Sequence, residues 1–219
     1  MTLQLLLDSA DPADWQTWLP SGLFRGITTN PTLLRRAGQA CTTAHLRDLA
    51  QQAFDLGAQE LHLQTWGTDA AEASTIGRQL AAIDRQRVLV KVPVDRQGVE
   101  TARRLIAEGV AITFTACYEV HQVLIAAALG ARYIAPYLGR ISDSGRDGHG
   151  ELIAMQRCLD GVGSSTRLLV ASLRAPSDLS RLAAAGLGTF TLGPAIAEAL
   201  FQVEATGQAA AQFERDARG

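Results

Sequence analysis

The chain contains one lysine, Lys91, within the run Val88-Leu89-Val90-Lys91-Val92-Pro93-Val94. The other 19 of its 20 basic side chains are arginine. Lysine is ordinarily among the commonest residues, so whatever bias favoured arginine elsewhere spared this position. A guanidinium stays protonated and cannot act as an amine nucleophile, whereas an ammonium can lose its proton. An unperturbed lysine is neutral at pH 7 only about one part in 2,500. Burial and nearby cations, with Arg140 and Arg174 the candidates, depress that pKa and free the amine for a Schiff base. The competing reading is a surface lysine packed along an edge strand. The apolar neighbours on both sides instead suit a central parallel strand, where an ammonium is costly without a partner or a task.

Two arginines and a serine suggest what the amine acts on. Arg140, Ser172 and Arg174 follow two successive β-rich runs; guanidinium grips phosphate oxygens bidentately, and a hydroxyl adds a donor. The plainer reading has the arginines neutralising Asp143 or Asp147, and both can hold at once. Further polar residues close other β-rich runs: Asp8, Thr28 with Asn30, Gln64, Thr115 and Tyr137. Each alone reads as a turn or helix cap. Together they describe a polar pocket.

The elements that must position these residues alternate along the chain. The expected strands are Leu3–Asp8, Phe24–Thr28, Glu60–Thr65, Val88–Val92, Val110–Thr115, Arg132–Tyr137, Arg167–Ser172 and Thr189–Leu192. Helical patterns lie between them, with Asp11-Pro12 opening one and Gly57, Gly109, Gly130 and Gly186 closing others. Eight β-α units in 219 residues average about 27 residues each, a repeat of architecture without a repeat of sequence. Strict alternation predicts a parallel sheet, and eight units predict a single (β/α)8 TIM barrel over residues 1–219. An open doubly wound sheet is the alternative. Residues 207–219 are expected to carry an extra C-terminal helix (Gln208 to Arg218), packed on the barrel or on a neighbouring subunit. In such a barrel the chemistry lies at the C-terminal ends of the strands, where the polar residues fall. Only the eighth strand ends without one, at Gly193-Pro194.

Composition excludes much else. With 22 acidic and 20 basic residues, a net charge of −2 gives no electrostatic case for nucleic acid or a membrane surface. The longest apolar stretch, Val123 to Leu129, is far short of the ~18 residues a span needs. Residues 1–8 lack a basic segment and do not read as a signal peptide. Cys41, Cys117 and Cys158 are widely spaced and read as buried free thiols of a reducing, cytoplasmic compartment. The histidines 45, 62, 121 and 149 show no metal spacing; His62 reads as structural, and His45 and His121 as helix positions. There is no Walker A loop, G-x-S-x-G elbow or G-x-G-x-x-G.

Several segments resemble the transaldolase family. They are Leu7-Asp8-Ser9-Ala10-Asp11, Gly26-Ile27-Thr28-Thr29-Asn30-Pro31-Thr32-Leu33, and Val90-Lys91-Val92-Pro93 with Gly98. Pro136-Tyr137-Leu138-Gly139-Arg140-Ile141 with Asp143, Gly145, Asp147 and Gly148, and Ala171-Ser172-Leu173-Arg174, complete the set. The length resembles the small subfamily of short transaldolases and fructose-6-phosphate aldolase, which implies a cytoplasmic barrel assembled as a homo-oligomer, a pentamer or decamer. The resemblance makes Lys91 the Schiff-base lysine and Asp8 the group that handles protons as C3–C4 breaks. Asn30 and Thr28 would hold the dihydroxyacetone hydroxyls, Thr115 would lie beside the lysine, and Arg140, Ser172 and Arg174 would grip the phosphate. It implies sugar phosphates and dihydroxyacetone as partners, and no metal or organic cofactor, because the iminium is itself the electron sink.

Transaldolases usually carry Glu on the third strand and Phe on the sixth, where fructose-6-phosphate aldolase has Gln and Tyr. Here those positions are Gln64 and Tyr137. A phenol acting with a water held by Gln64 would protonate the enamine and release dihydroxyacetone, which favours the aldolase. Against this, residues 139–148 resemble the short transaldolases more closely, and Thr113 and Trp66 match neither pattern. A transaldolase is therefore the alternative. Two further rivals are a metal-free phosphosugar isomerase or epimerase using Asp8, and a non-catalytic sugar-phosphate-binding barrel.

Overall fold

The computed structural model describes residues 2–219. Eight strands follow in chain order: β1 (Gln4–Asp8), β2 (Gly26–Thr28), β3 (Glu60–Gln64), β4 (Val88–Pro93), β5 (Ile112–Cys117), β6 (Tyr133–Pro136), β7 (Arg167–Leu168) and β8 (Thr189–Leu192). The first helices are α1 (Pro12–Trp18), α2 (Pro31–Arg36), α3 (Thr43–Asp55), α4 (Ala70–Ala81), α5 (Arg96–Ala107) and α6 (Gln122–Leu129). The rest are α7 (Leu138–Asp143), α8 (Gly148–Gly161), α9 (Pro176–Ala184), α10 (Pro194–Ala199) and α11 (Glu204–Arg218). The strands are all parallel, in the order β7-β6-β5-β4-β3-β2-β1-β8. A Val170–Phe190 bridge joins the two ends, with Val170 N donating to Thr189 O at 2.9 Å and Thr191 N to Val170 O at 2.9 Å. The predicted TIM barrel is the observed fold.

Strand alternation divides two sets of side chains. Val88, Val90 and Val92 of β4 join the large outer core beneath the helices, as do Leu61 and Leu63 of β3 and Ile112 and Phe114 of β5. The alternate positions form a small separate cluster of Leu6, Leu89, Tyr133, Ala135 and Leu169 inside the barrel. Lys91 shares its face with Leu89, so the lysine stands within the barrel and not at an edge. It is 6% exposed.

Several boundaries differ from expectation, each for a local reason. β7 was expected to reach Ser172, but its regular ladder ends at Leu168, and only bridges at Val170 and Ala171 continue it. Ser172 then adopts φ 60, a left-handed conformation that takes the chain out of the strand. β5 continues two residues past Thr115 through an irregularity between Phe114 and Cys117, where Ala116 has φ 57. Such a bulge re-aims a side chain beside it. The C-terminal helix begins at Glu204, so Gly207 lies inside it and does not open it. One glycine costs a helix about 1 kcal/mol, too little to stop fifteen residues rich in Ala, Gln and Glu. The four expected glycine closures hold, each with positive φ: Gly57, Gly109, Gly130 and Gly186. His45 lies in α3, whereas His121 only precedes α6. Of the cysteines, Cys117 is buried and Cys158 half-buried, but Cys41 is exposed, because it lies in the loop before α3 and not in an element. No helix among the described residues is long and apolar enough to cross a membrane.

The barrel floor carries buried charge. Glu60 is 1% exposed and meets Arg25 Nε at 3.3 Å, Arg132 Nη2 at 3.2 Å and the Tyr133 hydroxyl at 3.2 Å. Burial pushes the Glu60 carboxyl up, but hydrogen bonding from His62 and the two arginines outweigh it and bring it to about 2. Burial keeps His62 below its ordinary pKa, hence neutral near pH 7, so the lasting counter-charges are the arginines. A carboxyl depressed from 4.5 to about 2 stabilises the fold above pH 4.5, and that contribution is lost as pH falls towards 2. Glu60→Gln is expected to cost on the order of 2 kcal/mol in urea unfolding at pH 7, with the gap to wild type shrinking below about pH 4.5.

Candidate active site

β4 delivers Lys91 to the C-terminal end of the barrel, and its ammonium donates to the Thr29 carbonyl at 2.8 Å. Burial lowers the Lys91 pKa, and the Asp8 charge partly opposes the fall. Desolvation is therefore the activating influence. Arg140 and Arg174 do not share in it, because their guanidiniums lie out on the exposed rim, where water screens them from the buried amine.

Lys91 opens onto a cavity of about 450 Å³, within the range of small-molecule sites. Asp8, Thr28, Asn30, Tyr137, Arg140, Ser172 and Arg174 share its wall. Thr28 Oγ1 is 2.7 Å from Asp8 Oδ1 and 2.6 Å from Thr191 Oγ1. An ionised carboxylate only accepts, so Thr28 donates its one proton to Asp8 and Thr191 donates to Thr28. This chain fixes the Asp8 carboxylate. Asn30 caps α2, its Oδ1 accepting from Leu33 N at 3.0 Å, which leaves the amide NH2 for a ligand.

Across the mouth, Arg140 donates to Tyr118 Oη at 3.1 Å and lies over the Tyr137 ring, 4.8 Å from its centroid. Arg174 pairs with Asp143 at 2.5 Å, as the plainer reading of the arginines expected. Both members are more than half exposed, so the pair is weak and its guanidinium can turn to a better anion. Gly139 N donates to Ser172 O at 2.8 Å, and a Cβ at Gly139 would come within 2.4 Å of that oxygen and 2.7 Å of Arg174 Nε. The glycine lets the two rim loops close on each other. Asp147 is not an arginine partner; it caps α8 through Gly150 N.

Two expected residues are placed differently. Thr115 is 2% exposed and absent from the cavity wall, but its hydroxyl bonds the Tyr137 Oη at 2.5 Å. It acts on the site through that phenol. Gln64 pairs in register with Lys91, yet it lines an adjoining cavity of about 330 Å³ that also includes Trp66, Pro93 and Gln97. Its register with Lys91 and its alternation with Leu61 and Leu63 of the outer core turn Gln64 to the barrel side, beside the lysine strand. Thr191, Tyr118 and Arg36 escaped the sequence reading. Thr191 had a signal: in the strand Thr189-Phe190-Thr191-Leu192, Phe190 and Leu192 join the outer core, which turns both threonines inward. His62 is likewise internal, its Nδ1 2.9 Å from Thr113 Oγ1, with Thr113 opposite Lys91 in register. Among the described residues no cluster of His, Cys, Asp and Glu could hold a metal.

Residues 5–218 match the family described as Transaldolase/Fructose-6-phosphate aldolase. The chain belongs to this family. A probable transaldolase of Phenylobacterium zucineum is 31% identical over 214 residues, covering 98% of this chain and 96% of that protein. One from Rhodospirillum centenum is 31% identical over 215 residues, covering 98% and 90%. Among solved structures, one named native KDPGal superposes with a TM-score of 0.59 at 13% identity, covering 88% of this chain and 82% of that one. That last likeness concerns the barrel alone. As a member of the transaldolase/aldolase family the chain is an enzyme, and Schiff-base chemistry is characteristic of that family.

Proposed function

We propose that this chain is a class I aldolase that cleaves or forms the C3–C4 bond of a ketose phosphate such as fructose 6-phosphate, giving dihydroxyacetone and glyceraldehyde 3-phosphate. The observation that carries the reading is a desolvated lysine amine, Lys91, on one cavity wall with Asp8, Arg140 and Arg174. Arg140, Ser172 and Arg174 hold the phosphate by charge-assisted bonds. The neutral Lys91 amine bonds to C2 of the ketose, and water leaves to give the iminium. Asp8 takes the proton of the C4 hydroxyl as C3–C4 breaks; the bonding pair moves into the enamine and the aldehyde departs. Tyr137, with Thr115 against its hydroxyl, returns a proton to C3, and hydrolysis of the iminium frees dihydroxyacetone. Thr28 and Asn30 bind the hydroxyls of the three-carbon unit.

A transaldolase, which passes the enamine to an aldehyde acceptor, is the second reading, supported by relatives that carry that name. Assembly with copies of itself suits α11, whose residues are all exposed, with Ala205, Ala209, Phe213 and Ala217 along one face and Phe213 71% exposed.

Borohydride reduction with dihydroxyacetone or fructose 6-phosphate tests the chemistry. A stable mass increase is expected on the peptide containing Lys91, the only lysine. Folded protein that gains no adduct there removes the Schiff-base mechanism and leaves the isomerase or epimerase. A donor and acceptor assay then separates the subclasses. Wild type is expected to release dihydroxyacetone, and Tyr137→Phe to suppress release while raising transfer to erythrose 4-phosphate. Wild type that transfers efficiently without cleaving is a transaldolase.

A further inference from the structure

To grip one phosphate, Arg140 and Arg174 must stand at a set distance from each other, yet they belong to different β-α units. Arg140 lies in α7 after β6, and Arg174 in the loop between β7 and α9. Both residues are exposed, so the backbones that carry them, and not side-chain packing, fix where the guanidiniums start. Arg174 is free to give up Asp143 for a better anion, because that pair is weak and more than half exposed. A tie that keeps the two units in place once phosphate has bound must lie elsewhere.

It runs through Asp178 and His149. Asp178, in the first turn of α9, accepts at one carboxylate oxygen from Arg174 N at 2.9 Å and Ala175 N at 3.1 Å. That oxygen fixes the arginine's backbone to α9. The other oxygen lies 3.0 Å from Nε2 of His149, in the first turn of α8. A carboxylate only accepts, so the imidazole donates. His149 and Asp178 are 18% and 13% exposed, and water weakens their bond far less than it weakens Arg174–Asp143. Gly148, beside His149, is buried, and a Cβ there would come within 2.5 Å of Ser142 Oγ and 3.0 Å of Leu138 O. The start of α8 therefore rests directly on α7, the helix of Arg140. Asp178 alone would be an ordinary helix cap, to which His149 contributes nothing. What the histidine supplies is the connection between the two units.

We propose that His149 and Asp178 are positioning residues of the phosphate site: their bond clasps the Ser172–Arg174 loop to α7 and α8, and so sets the spacing of Arg174 from Arg140. Neither residue lines the Lys91 cavity, so both act through the arginines. The inference rests on Arg140 and Arg174 holding the substrate phosphate. It requires a loss confined to phosphorylated substrates, which a residue serving only the fold would not show.

The test uses the full chain and borohydride labelling of Lys91, with fructose 6-phosphate or dihydroxyacetone as donor, and reads the concentration of each that gives half-maximal label. In His149→Leu that concentration should rise about tenfold for fructose 6-phosphate and less than about twofold for dihydroxyacetone. His149→Gln, whose amide can take the place of Nε2, should restore most of the loss. Arg174→Ser should show the same selective rise, and it checks the phosphate reading directly. If Arg174→Ser is selective and His149→Leu is not, or if His149→Leu weakens both donors alike, the proposal is overturned. An unselective Arg174→Ser removes the phosphate reading and the clasp with it. Wild type that labels with neither donor removes the Schiff-base reading and this inference together. A His149→Leu chain that takes neither label while wild type takes both has lost its fold. The comparison then passes to His149→Asn, whose shorter amide does not reach Asp178, and the same outcomes decide it.

Discussion

Lys91→Met is expected to abolish turnover and yet to melt slightly higher than wild type. The loss in kcat should be at least about 10⁴-fold, since no other side chain can form the imine. The gain in stability follows from burial. A lysine whose pKa is lowered in the fold from 10.5 makes the folded state less stable wherever the ammonium is retained. That penalty is full at pH values below the folded pKa and fades as pH rises to 10.5. Methionine removes the charge and keeps the length, but it gives up the bond to the Thr29 carbonyl, which offsets part of the benefit. The net expectation is about 1 kcal/mol, or ~2–4 °C in Tm at pH 7, vanishing near pH 10. Calorimetry across pH measures it. An active Lys91→Met would end the Schiff-base account, and a variant that melts lower would show that the hydrogen bond outweighs the desolvation.

Asp8→Asn should separate the two halves of the reaction. Cleavage is expected to fall by about 10²–10⁴-fold, because the group that takes the C4 hydroxyl proton is lost. Imine formation should respond in the opposite sense. The Asp8 charge holds the Lys91 pKa up against burial, so removing it lets that pKa fall further. The acid limb of borohydride labelling should therefore move to lower pH, while retro-aldol cleavage stays slow. Asparagine can still accept from Thr28, which keeps the Thr191–Thr28 chain in place. A labelling profile that moves to higher pH, or cleavage close to wild type, would remove Asp8 from the proposed role.

Packing explains which parts of the site could be read in advance. Lys91, Asp8, Thr28 and Asn30 were legible because a central parallel strand has apolar flanks and the polar residue ends it, a pattern local to a few residues. Thr28-Thr29-Asn30-Pro31 also states its own backbone geometry, with the N-cap and the proline of α2 adjacent in the chain. Ser172 gave no hint of its φ of 60, since a serine in the left-handed region reflects what surrounds it. Gln64 has the residue type and strand position of a site group and pairs in register with Lys91, but its share in a second cavity with Trp66 left no mark in the sequence.

The sequence by itself determined the barrel and the single nucleophile. Eight alternating units leave few ways to bury their apolar faces, and only one side-chain amine is present to react. The tertiary structure decided which residues meet. Thr28 and Thr191 bond at 2.6 Å across 163 positions of chain, and Lys91 reaches the Thr29 carbonyl across 62. It also decided that burial lowers the lysine pKa. Ring closure creates these relations, because it brings together strand ends far apart in sequence and excludes water from the face they share.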